Sequence, residues 1–138
     1  WQESCRVPLM VKVPGVTPNN KKSMGVVNLI DMYPTLLDLC GLPENPENEG
    51  RSFADLIRNP DMDWSEPTLT DYGYGGHRIY DGRYSYIVFS SKGTEELYDH
   101  QVDPMEWYNL VSNPEYAAVK ARLKSYVPSE REPESPLN

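Results

Sequence analysis

The chain has 138 residues, about one domain's worth, with 13 Lys+Arg against 21 Asp+Glu and a net charge of -8. That balance repels a phosphate backbone and argues against nucleic-acid binding. No run approaches the roughly 18 apolar residues of a membrane span, and two cysteines are too few for a disulfide framework.

The first residues run at once into a strand-like stretch, so the chain reads as the C-terminal piece of a longer polypeptide. Pro8–Val13 is a nearly continuous apolar run closed by Pro14-Gly15, as in a strand buried on both faces. A polar loop over 15–24 follows. Val26, Leu29/Ile30, Tyr33, Leu36/Leu37 and Cys40 recur three and four apart and predict a core-facing helix. Asp31 is its natural N-cap, Pro34 fits the first turn, and Gly41 with Pro43 ends it. After a surface loop over 43–51, a short helix is expected over Phe53–Arg58, capped by Ser52 and stopped by Asn59-Pro60.

From Leu69 tyrosine and β-branched residues take over. Leu69–Tyr72 reads as a strand, and Gly73-Tyr74-Gly75-Gly76 as a pliable loop. Arg78–Tyr80 and Arg83–Phe89 form a hairpin about Asp81-Gly82, which suits a two-residue type I′ turn. Lys92-Gly93 turns into a further strand over Glu95–Asp99, and Asp103-Pro104 is another turn. Asn113-Pro114 opens a helix over 114–127 carrying Tyr116, Val119, Leu123 and Tyr126. The expected organisation is an α/β part over 1–60, an α+β subdomain over 61–128 (a small antiparallel sheet with a C-terminal helix), and a tail over 129–138.

Few groups suggest chemistry. His77 and Arg78 follow a glycine loop at a strand end, a common place for binding groups, and Arg offers a fork for sulfate, phosphate or carboxylate. The plainer reading is a surface His beside an ordinary strand Arg. His100 lies between Asp99 and Asp103, but the spacing fits neither zinc nor EF-hand patterns. Cys40 belongs to the apolar helix face and is expected in the core. Cys5 has Arg6 beside it, which lowers a thiol's pKa where the site is exposed. Glu95 and Glu96 are adjacent on a strand and point to opposite faces, so they cannot cooperate. No phosphate-loop, dinucleotide, nucleophile-elbow or zincin pattern occurs. No complete active site is present, and no catalytic or metal-ligating residue is assigned.

Read together, several stretches resemble the C-terminal part of a sulfatase of the alkaline-phosphatase superfamily. They are Glu3-Ser4-Cys5-Arg6-Val7-Pro8-Leu9, Leu29-Ile30-Asp31-Met32-Tyr33-Pro34-Thr35-Leu36-Leu37, Gly50-Arg51-Ser52-Phe53, Tyr84-Ser85-Tyr86-Ile87, Glu96-Leu97-Tyr98-Asp99, and Asp103-Pro104 with Glu106 and Asn109-Leu110. Their order and spacing are similar to bacterial sulfatases like iduronate-2-sulfatase and other glycan sulfatases. The resemblance implies that 1–60 closes the catalytic α/β domain with its last strand and helix, and that the following subdomain lends loops to the substrate pocket's rim. It implies a calcium and a formylglycine made within C/S-x-P-x-R in the full-length enzyme. Neither Cys5-Arg6-Val7-Pro8 nor Cys40-Gly41-Leu42-Pro43 matches that motif, so no cofactor is expected in this chain, and the isolated chain is expected to be inactive. The expected partners are the remainder of the catalytic domain and a sulfated carbohydrate, with His77, and after it Arg78, as the substrate contacts. The resemblance also implies export to the periplasm or beyond. Two alternatives stand beside it: a phosphatase, phosphodiesterase or phosphonate hydrolase of the same superfamily, and a stand-alone glycan-binding module using its tyrosine-rich sheet.

Overall fold

The computed structural model describes residues 2–73 and 75–129. The chain divides into two units. One spans Val7–Glu66, and the other runs from Pro67 onward together with the N-terminal residues through Arg6. The boundary thus falls a few residues after the expected 60/61, and Gln2–Arg6 goes with the later unit. The tail beyond Ser129 lies outside the described residues.

The sheet unit holds α1 (Gln2–Cys5), β1 (Thr68–Asp71), β2 (Gly76–Tyr80), β3 (Tyr84–Phe89), β4 (Thr94–Asp99) and α4 (Ala117–Lys124), the last preceded by a 3-10 turn over Pro114–Tyr116. The four strands are antiparallel in the order β1-β2-β3-β4, and every strand falls where alternation and turn residues place it. The β2–β3 turn differs in type. Gly82 has φ +96° while Asp81 stays at negative φ, so it is not a type I′ turn. Instead the Asp81 carboxylate accepts the Arg83 and Tyr84 N–H groups, which closes a longer connection without left-handed backbone at Asp81. Asn113 caps as expected, its side chain accepting the Glu115 N–H, but the α-helix stops at Lys124, short of Val127.

Alternation decides the unit's two faces. Ile79, Tyr86 and Leu97 share one face and meet Leu123 of α4 in a fully buried core, flanked by Tyr84, Val88, Tyr116, Val119 and Val127. Arg78, Ile87 and Glu96 stand opposite one another on the other face.

The Val7–Glu66 unit holds α2 (Met32–Leu39), preceded by a 3-10 turn over Leu29–Asp31, and α3 (Ala54–Arg58). Its core is Phe53, Leu56 and Ile57, packed by Val13, Val27, Leu39, Met62 and Trp64. Three expectations are corrected here. Pro8–Val13 forms no strand among the described residues, and Leu9 and Val11 are exposed. The predicted helix face is bare: Leu29 is 67% and Leu36 56% exposed, Tyr33 and Cys40 are also exposed, and the buried residues are Asp31, Pro34 and Thr35. Asp31 stands at the N-cap position of α2 as expected, but its side chain makes no capping bond to the helix. Its carboxylate accepts the Asn28 and Arg51 N–H groups and so ties two loops together. Thr35 does the same from the helix, donating to the Asp31 carbonyl and accepting the Phe53 N–H.

Candidate functional site

The candidate groups lie in the sheet unit: His77 at the β1–β2 end on the face that carries α4, and Arg78 on the opposite face. The β1–β2 loop turns through Gly73 and Gly75, both at positive φ, where a side chain is disfavoured. Gly76 is needed for space, since a Cβ there would meet the Phe89 ring at 3.0 Å. Leaving this loop, β2 presents His77 and Arg78 to opposite faces, as adjacent strand residues must. The two expected substrate contacts are therefore not brought together.

His77 is buried and pairs across the sheet with Asp71 and Val88. Its Nδ1 lies 3.9 Å from Asp71 Oδ2 and has no hydrogen-bond partner. Arg78 is 3% exposed and makes its polar contacts within the unit. Its Nε donates to Ser85 Oγ at 2.9 Å, and its Nη2 donates to Gln2 Oε1 at 2.8 Å and lies 3.8 Å from Glu106 Oε1. Its guanidinium also sits 4.7 Å from the Tyr80 ring centre.

Glu106 is the hub that the sequence reading did not find. Its Oε1 accepts from His100 Nε2 at 2.8 Å and its Oε2 from the Gln2 N–H at 3.1 Å. Burial alone would raise its pKa, but the His100 and Gln2 hydrogen bonds and the Arg78 charge outweigh it and hold the carboxylate below the usual range. Glu106 sits at φ +56°, a costly conformation for a side-chain-bearing residue, retained because its carboxylate is over-determined. His100, weighed above as a metal ligand, thus spends Nε2 on Glu106 and packs its ring against Tyr80 at 5.1 Å. The signal was present in the Asp-Pro-x-Glu run, but nothing local connects it to residue 78.

Cys5 ends α1 with Sγ 3.0 Å from the Tyr72 hydroxyl. Burial raises a thiol's pKa, but the Tyr72 and Ser4 hydrogen bonds and the Arg78 charge prevail, so Cys5 lies below its ordinary value while Tyr72, desolvated and bonded to the sulfur, is pushed up to about 12. This joins α1 to the sheet a second time. Arg6, weighed beside Cys5, is exposed, and the side chain of Glu3 lies outside what the structure describes. Among the described residues no three His, Cys, Asp or Glu side chains stand together as a metal requires. The described residues thus offer no ligand set for the calcium that the resemblance implies.

The family described as N-sulphoglucosamine sulphohydrolase, C-terminal, matches residues 1–132. The chain belongs to this sulfatase family. A sulfatase of Formosa agariphila is 32% identical over 128 residues, covering 93% of the chain and 25% of the relative. The delta 4,5-hexuronate-2-O-sulfatase of Bacteroides thetaiotaomicron is 29% identical over 135 residues, covering 91% and 28%. Among solved structures, a 2-O GAG sulfatase is 30% identical at TM-score 0.55 over 69% of this chain and 22% of that one. A phosphonate monoester hydrolase from Silicibacter pomeroyi shares the fold at TM-score 0.65 and 23% identity, over 83% and 26%. The small antiparallel sheet with its helix is thus the C-terminal sulfatase subdomain, and the chain spans about a quarter of the length of the curated relatives it matches.

Proposed function

We propose that this chain is the C-terminal part of a sulfuric-ester hydrolase acting on a sulfated glycan, in which it completes the fold and supplies the rim of the substrate pocket. The observation that carries the reading is the match to a C-terminal sulfatase family along 1–132, while the chain spans a quarter of its relatives. Relatives described as a delta 4,5-hexuronate-2-O-sulfatase and an ulvan-active sulfatase support the glycan class. The bare Leu29, Tyr33 and Leu36 face and the exposed Leu9 and Val11 support a partner in the remainder of the catalytic domain, since apolar patches of this kind mark interfaces. His77, at the glycine loop, is the proposed substrate contact. Arg78, committed to Ser85, Gln2 and Glu106, instead holds α1 on the sheet. Calcium and formylglycine chemistry belongs to the full-length enzyme.

The test is complementation. The purified chain is assayed with p-nitrophenyl sulfate alone and after mixing with the separately expressed upstream catalytic region. Sulfate release is expected only from the mixture, and hydrolysis by the chain alone overturns the reading. The shared fold of a phosphonate monoester hydrolase favours one second reading, that the upstream centre acts on phosphorus. A mixture preferring bis-p-nitrophenyl phosphate over the sulfate ester would establish it.

A further inference from the structure

We infer that Asp71 is a positioning residue that sets the tautomer of the His77 ring, keeping a proton on Nδ1, so that Nε2 is presented as an acceptor and the group His77 takes from substrate is a hydroxyl or N–H, not the sulfate. This rests on the reading of His77 as a substrate contact.

Asp71 ends β1 and stands directly across from His77 on β2, on the same sheet face. Its Oδ1 is pinned by the Gly73 N–H at 2.5 Å, and its Oδ2 faces His77 Nδ1 at 3.9 Å. That nitrogen is buried and unpartnered. The histidine side chain keeps only 10% of its surface, which lies on its other atoms. A buried ring nitrogen left unpaired is costly. The carboxylate faces it at 3.9 Å, about 0.7 Å beyond hydrogen-bond reach, the usual range ending at about 3.2 Å. To close that gap the carboxylate must turn about its pinned oxygen. A carboxylate only accepts, so closure puts the proton on Nδ1 and leaves the Nε2 lone pair free to accept. Sulfate oxygens also only accept and cannot satisfy that lone pair, whereas a sugar hydroxyl or sulfamate N–H can. One carboxylate thus fixes both the Gly73 turn and the ring beyond it.

The direct test needs no ligand. Long-range ¹H–¹⁵N correlation on the labelled chain reads the tautomer of the neutral ring, with His77 assigned by comparison with His100→Gln. The expected result is a protonated Nδ1 and a pyridine-type Nε2, with Asp71→Ala shifting His77 toward the mixture of a free imidazole. If the alanine variant unfolds, Asp71→Asn serves instead: with its oxygen held by the Gly73 N–H, its amide NH2 faces Nδ1 as a donor and should move the His77 proton to Nε2. A wild-type ring protonated on Nε2, or a tautomer unmoved in both variants, overturns the inference. In the complemented enzyme, turnover of a 2-O-sulfated unsaturated disaccharide should fall about tenfold for Asp71→Ala and for His77→Ala, and no further in the double variant, because both remove one contact. Additive losses count against positioning. A silent His77→Ala with the Nδ1 tautomer intact leaves the Asp71 contact standing and removes His77 from the substrate.

Discussion

Glu95 allows a quantitative test of what fastens α4 to the sheet. Its carboxylate accepts from the Tyr86 hydroxyl and pairs with Lys124 at 2.7 Å and with Lys120. The Lys120 and Lys124 hydrogen bonds, joined by that of Tyr86, pull its pKa from 4.5 to about 2 against the opposing effect of burial. At about 1.4 kcal/mol per pH unit, that displacement corresponds to about 3 kcal/mol. Lys124 is 58% and Lys120 29% exposed, so screening reduces the usable part to about 1–2 kcal/mol. The group's folded pKa is depressed, so its stabilisation is fully present above about pH 4.5 and is lost as pH falls toward 2. Glu95→Gln keeps an acceptor for Tyr86 and removes only the charge. Urea titrations read on the Leu97 and Leu123 methyl resonances, which report this unit's core, should show a loss of about 1–2 kcal/mol at pH 7 that shrinks below pH 4.5 to about a quarter of that value at pH 2.5. An equal deficit at both pH values would refute the charge argument, and no deficit at pH 7 would refute the claim that the ion pairs stabilise the unit.

Leu123→Ala, by contrast, empties a fully buried position against Ile79, Tyr86 and Leu97, and should cost about 2–5 kcal/mol on the Leu97 methyl probe with no acid dependence. Gly50→Ala should destabilise the other unit by about 1–3 kcal/mol, read on Trp64 fluorescence under urea, because its Cβ would lie 2.3 Å from the Ile30 carbonyl oxygen and backbone cannot rotate aside.

The sheet was readable because its signals are local. Asp81-Gly82 and Lys92-Gly93 mark the turns, and alternation such as Ile79 against Arg78 assigns the faces without outside help. What stayed hidden depends on distance along the chain or on missing neighbours. Leu29, Tyr33 and Leu36 carry a core-facing period, and periodicity alone does not report whether a partner covers that face. Asp31 reads as a cap, yet a residue some 20 positions on, Arg51, claims its carboxylate through the backbone. The Arg78–Glu106–His100 cluster joins segments that no local pattern connects, and the left-handed Glu106 has no glycine to announce it. At the site, the glycine loop draws the eye to His77 and Arg78 together, but successive strand residues face opposite ways, and only the structure shows His77 Nδ1 buried without a partner.

That opposition separates two roles that mutation of either residue alone would confuse. Arg78→Met removes the donors to Ser85 and Gln2 but leaves Glu106 its His100 and Gln2 N–H bonds, so the loss should be that of unmade buried hydrogen bonds, about 1–3 kcal/mol, not that of an abandoned buried charge. Arg78→Lys should recover little of it, because an ammonium has no fork to span Ser85 and Gln2 together. Because α1 hangs on this contact, exchange protection of the Arg6 amide, which donates to the Gln2 carbonyl at 2.9 Å, should fall with stability. His77→Ala removes a side chain whose one buried nitrogen is unpartnered, so it should leave that protection unchanged and alter only turnover of the glycan probe. If Arg78→Met instead raised KM for that probe while the Arg6 amide stayed protected, Arg78 would be a substrate contact after all, and the structural role assigned to its buried guanidinium would fail.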